Sequence, residues 1–277
     1  MKSMLILTDF SENAFRAAEY ACGLTVPLQI NRIVLYSAYQ TIIAGTEIPV
    51  TLDSQQLYLE TMQELGLLRD RIKSLVDDSL TIDLIAEDTY LADRINPLCK
   101  EQSIYMVAMG ISGKSGLGKL LIGRTTVGIQ RTSEFPLLIV PHEALIGSAV
   151  TTVVFTTDLK GFPAVQADWL REILDAFRAD LHVINIKPDE EENHLIQNQD
   201  ALKGLHDLLN PYDPKFHFLQ GEDVTKQILA FSELHHASMI IAVHRKRGFF
   251  SGLFHESVSE KLAYNSQIPL LSLPDLQ

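Results

Sequence analysis

The sequence predicts an α/β protein made of two tandem, open, mainly parallel five-stranded sheets flanked by helices. Three observations carry this reading. Short apolar runs suited to buried strands alternate with helical periodicities along nearly all of the 277 residues. The start, Leu5-Ile6-Leu7-Thr8-Asp9-Phe10, is echoed by Val153-Val154-Phe155-Thr156-Thr157-Asp158-Leu159. The close of the first half, Phe135-Pro136-Leu137-Leu138-Ile139-Val140, is echoed by Ile268-Pro269-Leu270-Leu271-Ser272-Leu273. Two related domains, 1–143 and 150–277, account for both echoes.

In the first half, Met4–Thr8 reads as a strand. Ser11 or Asn13 can cap a helix whose Ala14, Ala17, Ala18, Ala21 and Leu24 form one small-residue face for packing on a sheet. Arg32–Ala38 is the next strand, and Tyr39–Leu52 reads as loop, broken by Gly45 and Pro49. Ser54–Leu75 is a long amphipathic helix with Leu57, Met62, Leu65, Leu68 and Ile72 on its apolar side. Leu80–Ala86 is a third strand, and Tyr90–Glu101 a third helix with Pro97 near its start or a kink. Ile104–Met109 is a strand buried on both faces, followed by a glycine-rich loop, a helix from about Arg124 to Ser133, and the strand Leu137–Val140.

The second half repeats the plan. Thr152–Thr156, Leu181–Ile186, Lys215–Leu219, Met239–Val243 and Leu270–Leu273 are its strands. Pro163–Ala179, with Val165, Trp169, Ile173 and Phe177, is its first helix; Ile196–Leu209, Val224–His235 and Ser257–Asn265 follow.

The stretch from Ile104 to Pro141 carries the chemistry. A strand emptying into glycines 110, 113, 116, 118 and 123 ahead of a helix N-terminus is a recipe for holding phosphate. Glycines let backbone N–H groups approach the anion, and the helix start adds donors and positive partial charge. Gly113-Lys-Ser-Gly-Leu-Gly118-Lys119-Leu120 also approaches the P-loop pattern, but Leu120 stands where Ser or Thr must hold magnesium.

Gly110-x-x-Gly113, nine residues, then Gly123 resembles the nucleotide-binding signature of the universal stress protein family. The opening Thr8–Ala14 is similar to that family's first strand and helix start. Arg124 departs from the pattern, which places Ser or Thr after the last glycine; Thr125 comes one position later. Arginine is itself a good phosphate partner. The resemblance implies a Rossmann-like, adenine nucleotide alpha hydrolase-like fold that binds ATP at the carboxyl ends of the strands, with Mg2+ left open. It implies Thr8 and Asp9 at the adenine and ribose, Ala38 at the base, and Met109, Gly110, Gly113, Gly123, Arg124 and Thr125 around the ribose and phosphates. Asp9 reads equally as a helix-N-terminal carboxylate. The terminal strands of the two halves are expected to pair with each other, as an intramolecular pseudo-dimer, and a further homodimer is left open.

The halves differ where it matters. Val243-His244-Arg245-Lys246-Arg247-Gly248 replaces Met109–Gly113, and Glu256 precedes Ser257 where the first half has Gly123. A carboxylate at that helix start opposes a triphosphate, so only the first half is expected to bind ATP. His244–Arg247 reads as a solvated loop or an anion-docking patch, and the following Phe249, Phe250, Leu253 and Phe254 as apolar packing.

Composition narrows the function classes. A net charge of −12 argues against non-specific nucleic-acid binding and against a basic membrane footprint. No apolar run reaches the ~18 residues of a spanning helix, and the expected home is the cytoplasm. Cys22 and Cys99 read as buried free thiols. His182, His206, His217, His235 and His236 lack any metal-ligand spacing, and no nucleophile elbow occurs. The expected function is an ATP-binding regulatory, stress-response module and not an enzyme. One alternative is a slow ATPase using Lys114, Lys119 and Arg124 on phosphoryl charge, with Asp9 helping to hold magnesium. The other is a scaffold without nucleotide.

Overall fold

The computed structural model describes residues 2–43, 50–51, 53–111, 122–159, 164–187, 199–244 and 258–274. The first half runs β1 (Lys2–Leu7), α1 (Glu12–Gly23), β2 (Ile30–Tyr39), β3 (Ile42–Ile43), β4 (Val50–Thr51), α2 (Ser54–Ile72), β5 (Thr81–Asp88), α3 (Leu91–Glu101), β6 (Ile104–Ile111), α4 (Ile122–Thr132) and β7 (Leu137–Pro141). The second runs β8 (Thr152–Thr156), α5 (Ala164–Phe177), β9 (Asp180–Lys187), α6 (Gln199–Leu209), β10 (Lys215–Gln220), α7 (Val224–Leu234), β11 (Met239–His244), α8 (Val258–Asn265) and β12 (Leu270–Pro274).

Ten strands form one sheet in the order β10-β9-β8-β11-β12-β7-β6-β1-β2-β5. In this sheet the described pairs within each half are parallel, and β12 and β7, where the halves meet, are antiparallel, with Leu271 opposite Leu138. The two expected five-stranded sheets are therefore joined edge to edge, and their terminal strands do pair. Because the halves run in opposite directions, their carboxyl edges open on opposite sides of the molecule.

Strand alternation sorts the core into two layers. Met4 and Ile6 of β1 belong to the layer on the side of α1, α2, α5 and α6, which contribute Ala17, Leu68, Leu170 and Leu205. Leu5 and Leu7 face the other layer, under α3, α4, α7 and α8, which contribute Leu98, Ile129, Ile228 and Leu262. Each fully buried Leu or Ile contributes about 1.5–3 kcal/mol relative to exposure, so strands buried on both faces are anchored twice. The small-residue face of α1 is buried as predicted, and Ser11 is its cap, accepting from the Ala14 N–H at 3.2 Å.

Three local readings are corrected. The expected loop 39–52 contains a two-stranded hairpin, β3 with β4, paired Ile42 to Thr51. Pro97 lies inside α3, which continues through it. Val165 on α5 is 49% exposed, while Gln166 is buried because its amide donates to the Pro274 carbonyl at 2.6 Å.

The halves share backbone devices as well as strand order. Thr8 Oγ1 accepts the Phe10 N–H at 3.0 Å and Thr157 Oγ1 accepts the Leu159 N–H at 3.1 Å. Both turns end left-handed, Phe10 at φ 61° and Leu159 at φ 57°. Ser133 and Ser266 likewise each bridge the backbone of the residue two positions on.

Candidate functional site

In the first half, β2 and β5 extend to one side of β1, while β6 and β7 lie on the other. Strand order thus reverses beside β1, and the crevice at its carboxyl end is where open α/β sheets hold ligands. Ile6 pairs with Leu35 on one side and Ala108 on the other. Continuing those registers brings Thr8, Ala38 and Gly110 to the same edge.

Thr8 is buried and held in place by its N–H, which donates to the Tyr36 carbonyl at 3.0 Å. Asp9 is exposed, and its Oδ1 accepts the Ser11 N–H at 3.0 Å and the Ser11 hydroxyl at 2.5 Å. It complements the start of α1, one of the two roles read from the sequence. Ala38 is half-buried and Met109 buried, both on the α3/α4 side of the sheet. Gly110 faces α1: a Cβ there would sit 2.5 Å from the Asn13 carbonyl oxygen. Its missing side chain therefore lets the end of β6 and the first turn of α1 touch, and that space is filled by protein.

Gly123, Arg124 and Thr125 fall in the first turn of α4. Gly113, with the rest of 112–121, lies outside the described residues, as do 245–257 of the second half. Both ends of the glycine-rich connection are nonetheless fixed, at the carboxyl end of β6 and the N-terminus of α4. Described α4 thereby brings its N-terminal donors to the same crevice.

Two features of this edge escaped the sequence. The first is an open cleft of about 510 Å³ between α1 and α2, lined by Thr8, Phe10, Ser11, Phe15, Leu67 and Arg71 among others. Arg71 stacks over the Phe15 ring with its guanidinium carbon 3.3 Å from the centroid. Leu67, off the buried stripe of α2 and 53% exposed, was the available signal. The second is a network at the end of β5. The Tyr36 hydroxyl donates to Glu87 at 3.0 Å, and Arg94 donates to both oxygens of Glu87. Arg94 holds the Glu87 carboxyl below the usual carboxylate range, with Tyr36 assisting against burial.

The universal stress protein family matches residues 1–141, half of the chain. The chain belongs to that family. No curated protein matches it. This universal stress protein is similar in fold to a universal stress protein from Archaeoglobus fulgidus DSM 4304, at 20% identity over 98% of both chains with a TM-score of 0.73. A putative universal stress protein from Pseudomonas aeruginosa UCBPP-PA14 is 14% identical over 99% of this chain and 93% of its own, TM-score 0.62. A functionally unknown protein from Pseudomonas aeruginosa PAO1 gives 14% identity, 99% and 92% coverage and a TM-score of 0.61. At these identities the likeness is one of fold over the whole length of both halves. Among the described residues no helix is long and apolar enough to cross a membrane, and no group of three His, Cys, Asp or Glu is set to hold a metal ion.

Proposed function

We propose that this universal stress protein binds ATP through its first half and uses it as a regulatory signal, the second half being a copy without the phosphate-binding sequence. One observation carries the reading: the glycine-rich connection runs from the carboxyl end of β6 to the N-terminus of α4, at the strand-order reversal beside β1. Glycine-rich backbone and a helix start supply N–H donors to phosphate without needing a charged side chain. Family membership supports it.

In this reading Thr8, Asp9 and Ala38 lie toward the base and ribose. Gly123, Arg124 and Thr125 would meet the phosphates at the start of α4. Gly110 contributes backbone only, because Asn13 occupies the space beside it. In sequence, the link between β11 and α8 has Val243–Gly248, rich in basic side chains, where the first half has Met109–Gly113, and Glu256 where it has Gly123, which favours a single site per chain.

Calorimetric titration of the whole chain with ATP and magnesium tests it. One site per chain, lost in Gly113→Val, is expected. Two sites would overturn the silent second half, and no binding would overturn the nucleotide reading.

A further inference from the structure

Three histidines that the sequence scatters come together on the outer part of the sheet. His182 on β9 and His217 on β10 lie side by side on the α7 face, and His235 caps the carboxyl end of α7 above them. His182 Nδ1 and His217 Nε2 are 3.1 Å apart, and the rings stack at 5.2 Å between centroids. The His235 ring is 4.6 Å from that of His182 and 5.7 Å from that of His217. Phe231 packs against all three. The His182 and His217 rings are stacked with His235 tilted against both, and no metal-holding group of three is found among the described residues. Titration, and not ligation, is the chemistry they offer.

We propose that His182, His217 and His235 form an acid-sensitive latch that fastens edge strand β10 and helix α7 onto β9 and loosens as pH falls through the histidine range. The argument is one of hydrogen-bond capacity. A neutral imidazole is donor at one nitrogen and acceptor at the other, whereas the protonated ring is donor at both. The 3.1 Å contact needs one donor and one acceptor, so it cannot survive with both rings charged. A third ring beside them adds like-charge repulsion in a setting where His182 is buried.

The charged groups around the cluster do not remove this bias. On β9, Asp180 Oδ2 stands 3.9 Å from His182 Nε2, but both its oxygens already accept from Lys215 of β10 at 2.8 Å. Lys215 itself disfavours charge on both rings, and so does His235 of α7. Burial leads the causes that push His182 and His217 below the ordinary histidine value, with Asp180 the one group acting the other way on His182. The unfolded chain therefore binds protons more readily than the folded one just below that ordinary value of about 6.5. Latch stability is complete above it and is lost as pH falls toward the folded values.

Among the described residues β10 is the last strand of the sheet and pairs only with β9. Loosening it uncovers the hydrogen-bonding edge of β9, a surface able to pair with another strand.

Hydrogen exchange of the full chain at pH 7.5 and pH 5.5, corrected for intrinsic rates, tests the latch. Peptides covering 215–220 and 224–235 are expected to lose protection at least about threefold at the lower pH, while those covering β1 and β6 hold theirs. His217→Gln and, separately, His235→Gln remove a proton site each while keeping a polar group, and should reduce that loss. Equal loss in the wild type and in both variants, no loss in the wild type, or loss spread evenly over both halves would each overturn the proposal. Should one variant fail to fold, the other and the wild-type pattern still decide it.

Discussion

Arg131 and Glu260 join the two halves through a two-pronged ion pair. Arg131 Nε donates to Oε1 of Glu260 at 2.7 Å and its Nη2 to Oε2 at 3.0 Å. Arg131 sits near the end of α4 and Glu260 in the first turn of α8, so the helices that follow the two loops are bonded to each other across the β7–β12 seam. The Glu260 side chain is 3% exposed and that of Arg131 54%. Breaking a fully buried pair costs about 3–5 kcal/mol, and the half-exposed arginine lowers that figure here. Arg131→Met is expected to destabilise the chain by about 2–3 kcal/mol. Arg131→Met/Glu260→Leu should recover part of it, since the carboxylate no longer has to be buried. Urea unfolding of the two variants and the wild type gives the comparison.

Gly110 and Asn13 yield a second prediction. An added Cβ at Gly110 would stand 2.5 Å from the Asn13 carbonyl oxygen and 2.8 Å from its carbon. Both are backbone atoms of the first turn of α1, so relief requires moving the helix. Overpacking of this kind costs about 1–3 kcal/mol, and an unyielding backbone neighbour places Gly110→Ala at the upper end. A loss of about 2–3 kcal/mol in chemical denaturation is expected. Nucleotide affinity measured on that variant alone would confound packing with binding, which is why Gly113→Val is the cleaner probe of the phosphate site. A Gly110→Ala protein as stable as the wild type would show that α1 can shift freely.

Much of this arrangement was readable from residue order, and the failures have physical causes. Strands such as Met4–Leu7 and Leu137–Val140 are continuous apolar runs between turn residues, so local sequence decides them. The Thr8 and Thr157 turns were visible as an echo because their hydroxyls and left-handed third residues are local as well. The Ile42–Thr51 hairpin was missed because two-residue strands leave no periodicity to count. His182, His217 and His235 were passed over because strand pairing and helix packing unite them, and spacing along the chain carries no record of that. The close approach of Asn13 to Gly110 leaves no trace in spacing for the same reason, since the two lie far apart in sequence.

Both cysteines should be silent in the folded protein. Cys22 is 2% exposed and Cys99 0%. Burial pushes each thiol up to about 12, with Glu19 adding to the effect at Cys22. At pH 8 that leaves only about one thiol in ten thousand ionised, against roughly a quarter for a free cysteine of pKa about 8.5. A thiol-reactive chromophore is expected to label neither residue in native protein and both in guanidinium chloride. Rapid labelling of one in buffer alone would mean that the helix carrying it, α1 or α3, opens on its own.

Arg94 should set part of the response to acid. Its guanidinium bonds Glu87 and also both oxygens of Glu101, and it holds each carboxyl below its ordinary range. The unfolded chain protonates these groups near their ordinary value of about 4.3, while the folded chain resists until lower pH. Between those limits the unfolded state binds more protons. The stabilisation is thus fully present above about pH 4.5 and fades as pH drops through the folded values. Arg94→Met removes the cause. At pH 6 the variant is expected to be less stable than the wild type, by an amount that solvent screening of the exposed Glu101 keeps small. The gap in melting temperature should narrow steadily from pH 5 to pH 3. Parallel melting curves across that range would place the acid sensitivity of the first half elsewhere, since two carboxylates that lose their shared arginine must titrate nearer to their unfolded values.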